Sequence, residues 1–175
     1  MNIGIPRILT VAFLISFAAP AFGDGGWTTN YAKAVEQAKT DDKAILLDFT
    51  GSDWCEWCAK MKVEALDTPM FRDYAAQNLV LVTLDFPNHA PQSAAVKAQN
   101  QKLSQKFGVT GYPTFVILNK NGKVLGTQVG YLAGGAPAFL AELRKFYKAP
   151  PRIAGTGGTD DFDSFFKKPA QSPTP

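Results

Sequence analysis

Residues 44–58 read AILLDFTGSDWCEWC, and the order of residue types in this stretch decides the fold. Ala44-Ile45-Leu46-Leu47-Asp48-Phe49 is a short apolar run of the kind that forms a strand covered on both faces. Thr50-Gly51-Ser52-Asp53 is a loop, and it leads into Trp54-Cys55-Glu56-Trp57-Cys58. From Cys55 to Leu66 the pattern is helical, with Cys58, Met61 and Ala65 along one side.

The chain on either side extends this strand–loop–helix unit. Upstream, 27–41 reads as a helix with Tyr31, Val35 and Ala38 on one stripe and Thr28 or Thr29 as its cap. Downstream, Thr68-Pro69 interrupts the helix, and a second helical piece runs to about Gln77. Residues 79–86 (LVLVTLDF) are a strand, and Pro91 to Phe107 is a helix that stops at Gly108. Residues 114–119 (TFVILN) and 123–130 are strands joined through Asn121-Gly122, a strong hairpin signal. Gly134-Gly135 breaks the chain, and Pro137 can open a last helix. Phe139, Leu140, Leu143, Phe146 and Tyr147 form the apolar face of that helix. The predicted order is α-β-α-β-α-β-β-α. Strands joined through helices pair in parallel, and the final hairpin adds antiparallel strands. The expectation is an α/β fold with a mixed central sheet and helices on both faces.

Cys55 and Cys58 are the only cysteines of the chain. At i and i+3 of a helix start they face the same side, close enough for a disulfide. The first sits where unpaired backbone N–H groups favour an anion, which supplies thiolate for attack. The second lies one turn in, placed to resolve a mixed disulfide. Other readings compete. A structural disulfide across so short a loop gains little chain entropy. A zinc site wants about four ligands, and the chain has one histidine and no further cysteine. Reduced, inert cysteines fit poorly beside Asp53, Glu56 and two tryptophans. His89, in Pro87-Asn88-His89, reads as a solvated loop residue.

The ends have a different character. Arg7, the apolar run Ile8 to Ala19 and the small-residue site Ala21-Phe22-Gly23 describe a secretory signal peptide, 1–23. The run is short for a bilayer span, so a retained anchor is the weaker reading. The mature protein then starts near Asp24, in an oxidising compartment that permits disulfides. One domain is expected over 24–150. After Pro150-Pro151 the composition turns to Gly, Thr and Asp, and 151–175 reads as a flexible C-terminal tail with one aromatic island, Asp161 to Lys168. The 175 residues are 46% hydrophobic and 19% charged, as in a globular protein. A net charge of +3 without a basic block gives no footprint for nucleic acid.

Taken in order, these motifs resemble the thioredoxin superfamily. Leu47-Asp48-Phe49 precedes the Cys55–Cys58 motif. Lys106 to Phe115 (KFGVTGYPTF) is similar to the family's stretch around its cis-proline. Lys120-Asn121-Gly122-Lys123 and Val129-Gly130 resemble its terminal hairpin. The resemblance covers roughly 27–148. GSDWCEWC is similar to the bacterial exported, disulfide-reductase-like branch, and to the C-terminal domain of the membrane electron-transporter that feeds periplasmic reductases.

The resemblance implies a thioredoxin fold and roles for matching residues. Cys55 is the nucleophile, Cys58 the resolving cysteine, and the two form a redox-active disulfide. Asp48 is the buried acid that takes or gives the proton of Cys58. Pro113 is the cis-proline, turning the Tyr112 backbone toward an extended substrate. Trp54 is an aromatic shelf, and Trp57 and Tyr112 complete the substrate-binding set. The motif departs from cytosolic thioredoxins in Glu56-Trp57 between the cysteines, and in Leu81-Val82 where those proteins often carry a lysine.

The implied function is a thiol–disulfide oxidoreductase of the cell envelope. Its partners are protein thiols and disulfides and a membrane electron-transfer protein. Its location is the periplasm, with secretion as the other destination. No cofactor or metal is called for, and the mature form is not membrane-embedded. Glu56 places a negative charge beside Cys55 and opposes its thiolate, which favours a reducing or isomerising role over an oxidising one. A different class stays open at this point: a thioredoxin-fold binding or assembly module with a structural or vestigial disulfide.

Overall fold

A computed structural model of the chain describes residues 26–149. The expected signal peptide and tail lie outside the described residues.

Five strands form one sheet in the order β1-β3-β2-β4-β5. They are β1 (Trp27–Thr28), β2 (Ala44–Thr50), β3 (Leu79–Asp85), β4 (Thr114–Leu118) and β5 (Val124–Val129). β3 runs parallel to both β1 and β2, while β4 is antiparallel to β2 and β5 to β4. The helices are α1 (Tyr31–Asp41), α2 (Glu56–Met61), α3 (Pro69–Asn78), α4 (Ala94–Phe107) and α5 (Gly135–Phe146). The mixed sheet with helices on both faces is the expected architecture.

β2 explains why the sheet needs both layers. Every residue from Ala44 to Phe49 is buried, so alternate side chains feed two cores. Leu46 lies on one face with Leu81, Phe115 and Ile117, under Met61 of α2, Phe71 of α3 and Phe139 of α5. Ile45, Leu47 and Phe49 lie on the other, under Ala34 and Ala38 of α1 and Leu103 of α4. Phe139 is fully buried and stacks between Phe71 and Phe115 at ring distances of 5.9 and 4.7 Å. Truncating such a ring to alanine costs about 3–5 kcal/mol.

Several boundaries differ from the sequence reading, each for a local reason. The helix expected over 27–41 begins at Tyr31. Asn30 caps it, accepting from Lys33 N, while Thr28 pairs with Val82 in β1. The helix expected from Pro91 begins at Ala94, because the Ser93 hydroxyl caps Val96 N. α5 starts at Gly135, two residues before Pro137, since Gly134 takes the left-handed N-cap position at φ 103°. Helix α2 proper begins at Glu56, and after Met61 it widens into a π-helical turn, Lys62–Leu66. Thr68 then caps α3, and Pro69 occupies its first turn.

Candidate active site

β2 delivers the chain to the sheet's end, and the loop 51–54 carries it to Cys55. That loop is tied to the end of β3 and the segment beyond. Ser52 donates its N–H and its hydroxyl to the Asp85 carboxylate, at 2.9 and 2.6 Å. The Trp54 indole N–H donates to Phe86 O at 2.8 Å. The Asp53 carboxylate accepts from the backbone N–H groups of Asn88, His89 and Ala90 at 2.8, 2.7 and 2.9 Å. Those three donors hold the Asp53 carboxyl down at about 2. His89 is exposed, and its backbone makes this contact.

Cys55 is the N-cap of α2, and its Sγ accepts from Cys58 N at 3.2 Å. The two cysteines form a disulfide with Cα atoms 5.2 Å apart. They are not equivalent: Cys55 is part-exposed, whereas Cys58 is 5% exposed. Cys55 is thus the more open member of the pair, and Cys58 is held behind it by the helix.

Aromatic rings flank the exposed side. Trp54 is 46% exposed and meets Tyr112 edge-on at 5.5 Å. Tyr112 also packs on Phe86 at 5.3 Å. Trp57 is 55% exposed and lies against Tyr131 at 5.2 Å, with the Lys60 ammonium over both rings. Tyr131 donates its hydroxyl hydrogen bond to Glu64. The Tyr112–Pro113 peptide bond is cis, Pro113 is buried, and Pro113 O accepts from Gly130 N at 2.8 Å. The structure thus joins Trp54 to Tyr112 on one side, while Trp57 turns to Tyr131, a residue the sequence reading did not single out.

Behind the disulfide lies a cleft of about 640 Å³. Asp48 lines it together with Cys58. Asp48 is 8% exposed, and its Oδ1 has no hydrogen-bond partner. Burial, then the nearby Asp85 charge, push its carboxyl up to about 7, against an opposing pull from Lys62. Lys62 comes from the turn after α2, one turn past Cys58, and its Nζ lies 2.9 and 2.7 Å from the two Asp67 carboxylate oxygens. The cation is therefore supplied from the helix, where the sequence reading noted the strand position as Leu81-Val82.

Ser52, Asp53, Lys62, Asp85 and Tyr131 went unnoticed as site residues in the sequence. Lys62 carried a usable signal, its i, i+4 spacing from Cys58. Asp53 carried none, because its partners lie 35 to 37 residues away.

The sheet order, the capped cysteine pair and the buried acid can be set beside known proteins. Residues 31–147 match the thioredoxin-like domain family. The chain belongs to the thioredoxin-like family. It is 40% identical over 121 residues to the disulfide bond reductase DsbH of Chlamydia pneumoniae, spanning 68% of this chain and 71% of that protein. A solved structure of a DsbH oxidoreductase superposes with a TM-score of 0.64 at 38% identity, covering 68% of this chain and 81% of that one. The thioredoxin-related protein DsbJ of Chlamydia pneumoniae is 30% identical over 93 residues, which span 53% of this chain and 27% of that protein. With its closed Cys55–Cys58 pair, this thioredoxin-like chain is a thiol–disulfide oxidoreductase of the disulfide-reductase-like branch.

Proposed function

We propose that this oxidoreductase works in the cell envelope as a reductase or isomerase of protein disulfides. One observation carries the reading: Cys55, part-exposed, caps α2 through its sulfur while Cys58 stays buried behind it. Cys55 thiolate attacks a substrate disulfide, forming the Cys55–substrate bond and releasing the first substrate sulfur. Cys58 then gives up its proton and attacks Cys55 Sγ. The Cys55–substrate bond breaks, its electron pair leaves on the substrate sulfur, and that sulfur takes a proton from solvent. The substrate gains two electrons and the pair ends as a disulfide.

In this mechanism Asp48 exchanges the proton with Cys58. Trp54, Trp57, Tyr112 and Pro113 form the surface that receives the substrate chain. The likeness to a protein named a disulfide bond reductase, and the Glu56 charge at the first position of α2, support the reducing direction. Each turnover leaves Cys55–Cys58 oxidised, so a reductase needs a donor, and a membrane electron-transfer protein fits that need. Arg7, the run Ile8 to Ala19 and the Ala21-Phe22-Gly23 site support export to the periplasm. No helix among the described residues is long and apolar enough to cross a membrane.

The Cys58→Ser variant tests the proposal. It should accumulate a mixed disulfide through Cys55 and so name the substrate, while Cys55→Ser should lose insulin reduction. Full function in cells with Cys55→Ser would leave only a binding module. A peptide beginning at Asp24 in the exported protein tests the export half.

A further inference from the structure

The exchange reaction proposed above leaves one carboxylate of the site without a role. Asp48 and Asp85 lie on adjacent strands and project from the same sheet face, because Asp48 is in register with Thr83 and Thr50 with Asp85. Both line the cleft that reaches Cys58. Asp85 is held from three directions. Its carboxylate oxygens accept from Ser52, on the loop that leads to Cys55. Its main-chain oxygen accepts from Gln92 Nε2 at 3.1 Å and from Asn100 Nδ2 at 2.9 Å.

The titratable and charged groups around this cleft with Asp48 are Cys58 from α2, Lys62 and Asp67 from the turn after it, and Asp85 from β3. From β4 the residue opposite Asp48 is Phe115, which carries no charge. Lys62 is drawn onto Asp67. Asp85 thus shares the cleft and the sheet face with a buried carboxyl whose Oδ1 has no hydrogen-bond partner.

We propose that Asp85 is a positioning residue for the exchange reaction: anchored by Ser52, it sets how tightly Asp48 holds the proton it trades with Cys58. The balance is simple. As Cys58 Sγ attacks Cys55 Sγ, the Cys58 proton moves to Asp48. The proton then leaves to water through the cleft. Trp54, Cys55, Trp57 and Tyr112 do not line that cleft. The neighbouring negative charge makes Asp48 a stronger base, near the optimum for exchange at neutral pH.

The test compares the full chain with Asp85→Asn and Lys62→Met. Asparagine still accepts the Ser52 N–H, so the loop anchor survives while the charge goes. The readouts are the titration of the Asp48 carboxyl carbon by NMR in the oxidised protein, and the pH profile of insulin reduction. In Asp85→Asn the Asp48 midpoint should fall by about one pH unit, with the acid limb of the activity profile following it. In Lys62→Met both should move up. Lys62 is exposed, so this variant folds even if Asp85→Asn does not, and an unmoved midpoint there overturns the coupling through the cleft. A midpoint unmoved in Asp85→Asn, with insulin reduction still dependent on Cys55, removes Asp85 from the reaction and leaves the exchange reading intact.

Discussion

The Trp54 indole closes over Gly51: a Cβ on Gly51 would overlap Trp54 Cε2 and lie 2.6 Å from Nε1. Gly51 is buried, and its main-chain oxygen accepts from Cys55 N at 2.9 Å. The absence of a side chain at 51 thus sets the position of the ring beside the disulfide. The ring has little freedom to yield, since its N–H is tied to Phe86 O and it packs against Tyr112 in a T-shaped pair.

Gly51→Ala should therefore push Trp54 out of place. Overpacking of this kind costs about 1–3 kcal/mol. Urea unfolding should show that loss, and near-ultraviolet circular dichroism should show a changed Trp54 environment. An unchanged spectrum would mean that the loop, and not the ring, gives way.

Asp53 organises the segment opposite the active-site loop. Asp53→Ala removes the acceptor for three backbone N–H groups, so amide exchange at Asn88, His89 and Ala90 should accelerate while β2 stays protected. The folded carboxyl is depressed to about 2 from an ordinary 3.8. Its contribution is fully present above 3.8 and fades as pH falls through about 2. Exchange at these three amides should report that loss in acid.

Asp48 has the opposite sign. Its folded carboxyl is raised to about 7 from 3.8. Folding therefore favours the protonated form, and stability present below 3.8 is lost as pH rises through about 7. At about 1.4 kcal/mol per pKa unit the loss is on the order of 4 kcal/mol. Asp48→Asn, which does not ionise, should be the more stable protein at pH 8, with the difference vanishing near pH 4. Denaturant unfolding of the oxidised protein across that range checks this. Parallel curves for the two proteins would refute it.

Glu56→His exchanges a negative charge beside Cys55 for a group that carries partial positive charge. The Cys55 thiolate should be better stabilised and the disulfide more readily reduced, which makes the pair a stronger oxidant. Equilibration with glutathione measures the shift. An unchanged or lower potential would remove Glu56 from the account of direction.

Much of the fold was legible because it rests on local patterns. The buried run Ala44 to Phe49, the hairpin at Asn121-Gly122 and the stop at Gly108 each act within a few residues. The helix starts were harder to read. Asn30 wins the α1 cap from Thr28 only because Thr28 pairs with Val82, more than fifty positions away. Likewise Ser93 defines the start of α4 against the equally plausible Pro91. The π-helical turn at Lys62–Leu66 leaves no trace in residue pattern, yet it is the segment that carries Lys62 beside the Asp48 cleft.

The sequence by itself determined the pair Cys55 and Cys58, three apart at a helix start, and the apolar periodicity that builds a mixed sheet beneath them. Those are short-range properties, written in adjacent residues. Only the tertiary structure decided the surroundings of the pair. It set Asp85 and Lys62 around Asp48, tied Trp54 to Phe86 and Tyr112, and bound Asp53 to residues 88–90. The contacts of Asp48 and of Asp53 join positions separated along the chain but adjacent in space, and charge and burial act through that distance alone.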